Sequence, residues 1–496
     1  MSAADRFPNG AAAECRPWPR HLLDPARWAA LAADDSLTLL SLWAEPGLVH
    51  AAFLAEGGLL LASCPAPEGR YPALSPARLG APLFERMIHD LWGLSAEGGV
   101  DPRPWLDHGR WGLVAPLSGR PVQTMLPPPQ PEFLPAEGEG LHQMPLGPVH
   151  GGVTESAHFR FHLQGEAVLR LEARLGYAHR GIIGLMLGKS PRSAARFAAR
   201  IAGDSTVAHA WAFAMAAEAA AELVPPPRAL VLRAVMAELE RIHNHLRSWG
   251  AICEAAGLAW PHARCAVLRE GVLRACAAAF GHRLMMDRVV PGGVSGDIAP
   301  GGAAAILSAL EAVAVEIPEL AGLCETHAGL RNRITGIGIV TAELAARLGA
   351  GGPIGRASGR GFDARRLPGQ APYDELDPVV PVLPEGDVGA RLRIRIAELR
   401  ESIRLVPAML ARLPEGELRL SLPQRAGEGI GMVEGFRGEC LHWMALDDGG
   451  LIRAVFPRDP SWLQYPLLEA AMQGGSAADF PLCEASFGCA VSGVDL

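Results

Sequence analysis

Glu238, Arg241 and His245 stand at spacings of three and four, so on a helix they share one face. The same stretch carries an apolar stripe at Leu232, Val235, Met236, Leu239, Ile242 and Leu246, the periodicity of a helix that supplies core. Charge beside such a stripe is costly unless paired, so the trio demands partners, and an ordinary helix salt bridge is its plainest reading. Upstream, Asp204, Ser205, Thr206 and His209 form a polar patch able to hold water, a proton path or a polar substrate. The nine cysteines are scattered and odd in number, with no Cys-x-x-Cys pair; Cys489 is followed at the third position by Ser492. That spacing fits neither a disulfide framework, a zinc ribbon nor an iron-sulfur loop, so no metal ligand set is expected in this chain.

The elements that must position these groups follow from the pattern. A chain of 496 residues, 49% hydrophobic and 20% charged, has ample core-forming material and predicts two or more domains. Net charge is -8 with no long basic tract, which excludes nucleic acid as a natural partner. The proline-rich stretch 121–146 predicts a linker, since its prolines cannot continue a helix or a central strand. Before it, residues 1–120 read as a small α/β unit, with strands at Leu37 to Leu42 and Gly58 to Ala62 and a helix at Pro82 to Gly93. After it, 147–496 reads as mainly helical with small β elements, giving an α+β chain overall. Helices are predicted at 192–223, 265–287, 301–324 and 389–412, and through Val168, Leu171, Leu175 and Ala178; strands are predicted within 414–456. The first residues lack a secretion signal and no uncharged apolar run reaches the roughly 18 residues a membrane span needs. The expectation is a cytoplasmic chain without a direct membrane span, peripheral on the inner membrane through partners.

Eight segments in register carry a family resemblance: Gly147-Pro148-Val149-His150, Leu175-Gly176-Tyr177-Ala178-His179-Arg180-Gly181, Glu238-Leu239-Glu240-Arg241-Ile242-His243-Asn244-His245, Met286-Asp287-Arg288-Val289-Val290-Pro291-Gly292-Gly293, Gly355-Arg356-Ala357-Ser358-Gly359, Val433-Glu434-Gly435-Phe436-Arg437-Gly438-Glu439, Arg458-Asp459-Pro460-Ser461 and Asp479-Phe480-Pro481-Leu482. Together they resemble the family that joins the large subunit of group 4 nickel-iron hydrogenases to the 49 kDa subunit of respiratory complex I. The N-terminal phrase Glu85-Arg86-Met87-Ile88-His89-Asp90-Leu91-Trp92-Gly93 resembles the 30 kDa subunit of complex I. That fusion matches the layout of formate hydrogenlyase and hydrogenase-4-type large subunits.

The resemblance implies roles. A nickel-iron centre needs two Cys-x-x-Cys pairs of soft thiolates. Ala202, Ser205, Cys489 and Ser492 occupy the matching positions, so the chain is expected to lack such a centre. With no extension past Leu496, the cleavage that follows nickel insertion is not expected either. The segment after Gly147-Pro148 lines the family's active cavity, where Glu155 and either His158 or His150 match a proton-carrying glutamate and a quinone-binding histidine. With Asp204 and His209, Glu155 and His158 make the candidate catalytic set. The quinone-binding tyrosine of complex I falls on Gly203. Glu238, Arg241 and His245 match a buried hydrophilic coupling path. Tyr177, His179 and Arg180 match the segment facing the iron-sulfur cluster of a small partner subunit, although Ile183 replaces the family's glutamate. The implied function is a large subunit of an NADH:quinone-type oxidoreductase complex, with an iron-sulfur subunit and membrane-arm subunits as partners, no cofactor of its own and quinone as a possible ligand. No Gly-x-Gly-x-x-Gly follows a strand, so a direct NAD site is not expected. The competing reading is a non-catalytic scaffold that holds the iron-sulfur partner on a membrane arm.

Overall fold

A computed structural model describes residues 11–13, 15–56, 58–124, 132–150 and 155–496; the proline run at 127–129 lies outside them. The N-terminal unit is a five-stranded sheet in which β1 (Thr38–Glu45), β2 (Leu48–Ala55) and β3 (Gly58–Pro65) form an antiparallel meander. Arg20–Leu22 adds to β3 in parallel, and α1 (Ala81–Trp92) packs on the sheet. Leu141–Leu146, with Pro145, is an edge strand beside the hairpin β4 (His158–Gln164) and β5 (Ala167–Arg174), the position a strand proline tolerates.

The strand β5 corrects the helical reading of Val168 to Ala178. At the hairpin the register slips between His162 and Leu163, so Leu163 pairs with Val168 but His162 with Arg170. The bulge leaves Leu169 outward and puts Val168 and Leu171 on the buried side, a spacing of three that imitates a helix. The predicted helix over 192–223 is likewise two, Pro191–Ala198 and α2 (Thr206–Ala220), broken by a turn that carries Asp204.

The large unit is built on α2, α3 (Pro227–Ala255), α4 (Ala259–Phe280), α5 (Gly302–Thr326) and α6 (Val388–Ala411), followed by the strands β6 (Gly427–Gly435), β7 (Gly438–Leu446) and β8 (Ile452–Arg458). Two close approaches set the site. The α2 sequence is alanine-rich, and β6 carries glycine at 427, 429 and 431; a Cβ there would collide with the carbonyls of Ala220, Ala216 and Ala212. Glycine thus lets the helix lie directly on the sheet, which brings His209 over β7. The second approach is the tight β6–β7 hairpin, where Gly435 pairs with Gly438 and Phe436-Arg437 form the loop.

The two units share one core. Cys15–Arg16 adds in parallel to β6, Arg20 makes a two-pronged ion pair with Glu428, and Trp43 packs against Trp443 and Phe456 at centroid distances of 5.6 and 5.8 Å. Phe84 of α1 stacks on Trp462 of α7 (Ser461–Met472) at 4.8 Å. Among the described residues no helix is long and apolar enough to cross a membrane.

Candidate functional site

Helix α3 presents two polar faces. Along one, Asn244 donates to the Asp204 carbonyl at 2.7 Å and Arg247 to the Asp204 carboxylate at 2.8 Å. Glu240, on the same face, accepts from the Val207 and Ala208 amides at the start of α2. Burial pushes Glu240 up to about 8 against the pull of those two amides.

The hub of this first region is Arg437, projected from the β6–β7 loop. Its guanidinium donates to both Asp204 carboxylate oxygens, to Ser205 Oγ at 2.9 Å and to the Gly488 carbonyl. Burial alone would raise the Asp204 pKa, but Arg437 and Arg247 outweigh it and hold that carboxyl far below the usual range. Two of the four positions matching nickel-iron ligands therefore meet here: Ser205 is bound to Arg437, and Gly488 precedes Cys489. Cys489 lies 3.9 Å from Gln464 Oε1, and burial pushes its thiol up to about 12. Ala202 and Ser205 are buried and offer no soft ligand. One protonated thiol with an alanine and two serines does not fit a nickel-iron centre.

The C-terminal segment is strapped down by the residues expected to face a partner. Arg180 donates to the carbonyls of Arg200, Ile201 and Ser492. His179 bonds the Asp495 carbonyl at 2.6 Å and stacks on Trp111 at 4.4 Å. Asp495 accepts from the Gly176 and Ala178 amides, and burial raises it to about 6. Tyr177 packs beside His108, half-buried. Glu155 is exposed and accepts from the Ser492 amide at 3.0 Å.

The four candidate catalytic residues divide. Asp204 and Glu155 both meet the C-terminal segment, one through Arg437, which bonds the Gly488 carbonyl, and one through the Ser492 amide. His158 stands 5.3 Å from Phe133, on the strand face opposite Phe159, which packs on Phe480. His150 lies instead beside Phe159, with ring centroids 5.9 Å apart. His209 turns away from Asp204: its Nε2 is 2.9 Å from Asp459 Oδ2 and its Nδ1 is 3.1 Å from His442 Nε2.

The other face of α3 carries Glu238, Arg241 and His245 into a fully buried network. His245 bonds Glu398 at 2.8 Å; Glu398 accepts from Arg356 at 2.7 Å; Arg356 also reaches Glu434 at 2.9 Å and Asp363 at 3.3 Å. Asp363 pairs with Arg365, which reaches Glu238, and Glu238 accepts in addition from Arg241, Tyr373 and Ser402. Arg365 and Tyr373 line a surface cavity of about 380 Å³ at the far end. Arg395, one turn before Glu398 on the same helix, donates to the Ser486 and Phe487 carbonyls and places its buried charge beside Glu398.

Within this hydrogen-bonded set four carboxyl groups (Glu238, Asp363, Glu398, Glu434) meet three guanidiniums (Arg241, Arg356, Arg365). Burial lowers His245 to about 4, so it adds no charge at neutral pH. Guanidinium neighbours outweigh burial at Glu238 and Glu398 and keep both ionised. At Glu434 burial, reinforced by Asp363, wins and raises the carboxyl to about 7. It is the one member of the set poised to exchange a proton near neutrality.

Sequence reasoning found α3's three charges but missed Arg356, Asp363, Arg365, Glu398 and Glu434. Arg356 and Glu434 lie in segments already singled out, Gly355–Gly359 and Val433–Glu439; Glu398 lies inside the predicted helix 389–412. The usable signal was a charged residue at a position the periodicity assigns to core.

Comparison with known proteins agrees with this architecture. Residues 257–426 match the family model of the respiratory-chain NADH dehydrogenase 49 Kd subunit, and residues 180–249 that of nickel-dependent hydrogenase. An NADH-quinone oxidoreductase subunit of Dehalococcoides mccartyi is 30% identical over 67% of this chain and 92% of its own. Formate hydrogenlyase subunit 5 of Escherichia coli is 27% identical over 84% of this chain and 75% of its own. In a solved structure of the membrane-bound sulfane sulfur reductase, an archaeal respiratory membrane complex, one chain superposes with a TM-score of 0.68 at 24% identity, covering 72% of this chain and 99% of that one.

Proposed function

Because the chain belongs to the family of the 49 kDa subunit of respiratory-chain NADH dehydrogenase, we propose that it is the large subunit of a hydrogenase-related, complex I-like oxidoreductase that works without a nickel-iron centre of its own. Electrons reach it from an iron-sulfur cluster in a small partner protein, docked near Tyr177, His179 and Arg180. The complex is peripheral on a membrane through membrane-arm partners. A quinone-class acceptor, bound beside the C-terminal segment near Glu155 and Asp204, completes the electron path.

The observation that carries this reading is the buried network ending at Glu434. Glu434 lies beside Arg356 in a fully buried set of charges, and protonating it removes one negative charge from that interior. At an effective dielectric of about 20, a unit charge arriving about 10 Å away contributes about 1.7 kcal/mol, roughly one pK unit. An electron delivered beside the C-terminal segment therefore draws a proton onto Glu434, and its departure releases it. This chain's part is to hold and move that proton while Arg395, beside Glu398, bonds the C-terminal segment.

The scaffold reading draws on a different observation: Arg437 fills the space beside the C-terminal segment with satisfied hydrogen bonds to Asp204, Ser205 and Gly488. One experiment separates the two. The complex is purified from native membranes, its subunits are identified, and electron transfer to a quinone analogue is measured. The proposal expects an iron-sulfur subunit, membrane subunits, quinone reduction and no nickel. Intact assembly without electron transfer supports the scaffold; a partnerless chain overturns both.

A further inference from the structure

Among the described residues one group of metal-ligating side chains stands out: the ligand atoms of His209, Cys440 and Asp459 all lie within 4.8 Å of one another, and all three residues are buried. They come from α2, from β7 and from the residue that follows β8, so nothing in their sequence spacing announces them. His209 Nε2 is 2.9 Å from Asp459 Oδ2 and 3.8 Å from Cys440 Sγ.

The decisive feature is that the thiol and the carboxylate converge on the same ring nitrogen. A nucleophile–histidine–acid relay needs them on opposite nitrogens, one to pass the proton and one to orient the ring. Here Nδ1 is instead bonded to His442 Nε2 at 3.1 Å. That is the arrangement of a metal-bound imidazole, whose distal N–H is held by an acceptor in an outer shell. The second Asp459 oxygen is similarly fixed, accepting from the Ser461 amide at 2.8 Å. For metal–N of about 2.0–2.1 Å, metal–S of about 2.3 Å and metal–O of about 2.0–2.2 Å in a tetrahedron, ligand atoms sit roughly 3.4–3.6 Å apart. The two separations to His209 Nε2 bracket that range, and the third lies within 4.8 Å, so seating an ion needs the side chains to close by at most about 1.2 Å.

Electrostatics point the same way. Asp459 is a fully buried carboxylate bonded to the His209 ring and the Ser461 amide, and Arg437 donates its hydrogen bonds to Asp204 rather than to it. A divalent ion would add positive charge beside it and hold Cys440 as the thiolate.

We propose that His209, Cys440 and Asp459 form a mononuclear site for a borderline divalent metal of the zinc class, with His442 and the Ser461 amide as its outer shell. The mixed nitrogen, sulfur and oxygen donors suit zinc, whereas magnesium and calcium prefer oxygen alone. The site is distinct from the positions matching nickel-iron ligands and shares no residue with them.

The test uses the full chain produced in metal-replete medium. Elemental analysis is expected to find one zinc per chain in the wild type and none in Cys440→Ser, with Cys489→Ser unchanged. Cobalt(II) added to the apo-protein is expected to give a thiolate-to-cobalt charge-transfer band that Cys440→Ser abolishes, and His442→Phe to weaken metal affinity about 10–100-fold. Should Cys440→Ser fail to fold, X-ray absorption at the zinc edge of the wild type decides, with one sulfur at about 2.3 Å expected. A wild-type protein that retains no zinc, a cobalt band that survives Cys440→Ser, or a zinc spectrum without sulfur overturns the site.

Discussion

The two faces of α3 end in polar regions satisfied in opposite ways. On the face toward Asp204, Asn244, Arg247 and Glu240 meet backbone groups and one carboxylate, and Arg437 finds an acceptor for each of its three nitrogens. On the network face, four carboxyl groups share three guanidiniums, and one of them is left near neutrality. The contrast teaches where chemistry remains in this chain. The positions read from the sequence as metal-ligand positions sit in a closed, matched structure around Arg437, while the interior behind them holds a buried carboxyl near neutrality.

The comparison is broken most severely at Arg356, which bonds Glu398, Glu434 and Asp363. Arg356→Met strands those carboxyls in the interior, and a loss of about 3–5 kcal/mol in denaturant unfolding is expected, enough to prevent accumulation of the chain. At the C-terminal segment one close contact is steric. A Cβ at Gly493 would lie 2.6 Å from Asp459 Cγ, so Gly493→Ala is expected to cost about 1–3 kcal/mol, seen first as increased proteolysis of the C-terminal segment.

A pH series sharpens the same contrast. The folded state holds the Glu434 proton up to about 7 from an ordinary value of 4.5, so between those values the folded state binds the extra proton. Its contribution is fully present below 4.5 and is lost as pH rises through 7. Unfolding free energy measured from pH 5 to 8 should show this decline in the wild type and a shallower one in Glu434→Gln. The smallest effect belongs to His158, which faces Phe133: His158→Phe should change stability by less than about 1 kcal/mol and leave turnover unaltered.

Long elements were legible in the sequence because their periodicity is strong: α3, α5 and α6 lie where the apolar spacing predicts, and so do β6 to β8. The β4–β5 hairpin was not, because a bulge counterfeits helical spacing. At the candidate site, Glu238, Arg241 and His245 could be named from one helix face, and the four nickel-iron positions from resemblance. Their surroundings could not, since Arg356, Asp363, Glu398 and Glu434 are brought to α3 from segments more than 100 residues downstream. The convergence of His209, Cys440 and Asp459 depends on β6 glycines that admit α2 to the sheet surface, a packing event with no local signature.

The central claim is that Glu434 exchanges a proton with electron transfer. It is tested most directly by electron-driven proton uptake in membrane vesicles carrying the assembled complex with Glu434→Gln. A fall of about 100-fold in coupled proton movement, with subunit composition intact, is the predicted result. Wild-type proton movement in that variant would contradict it.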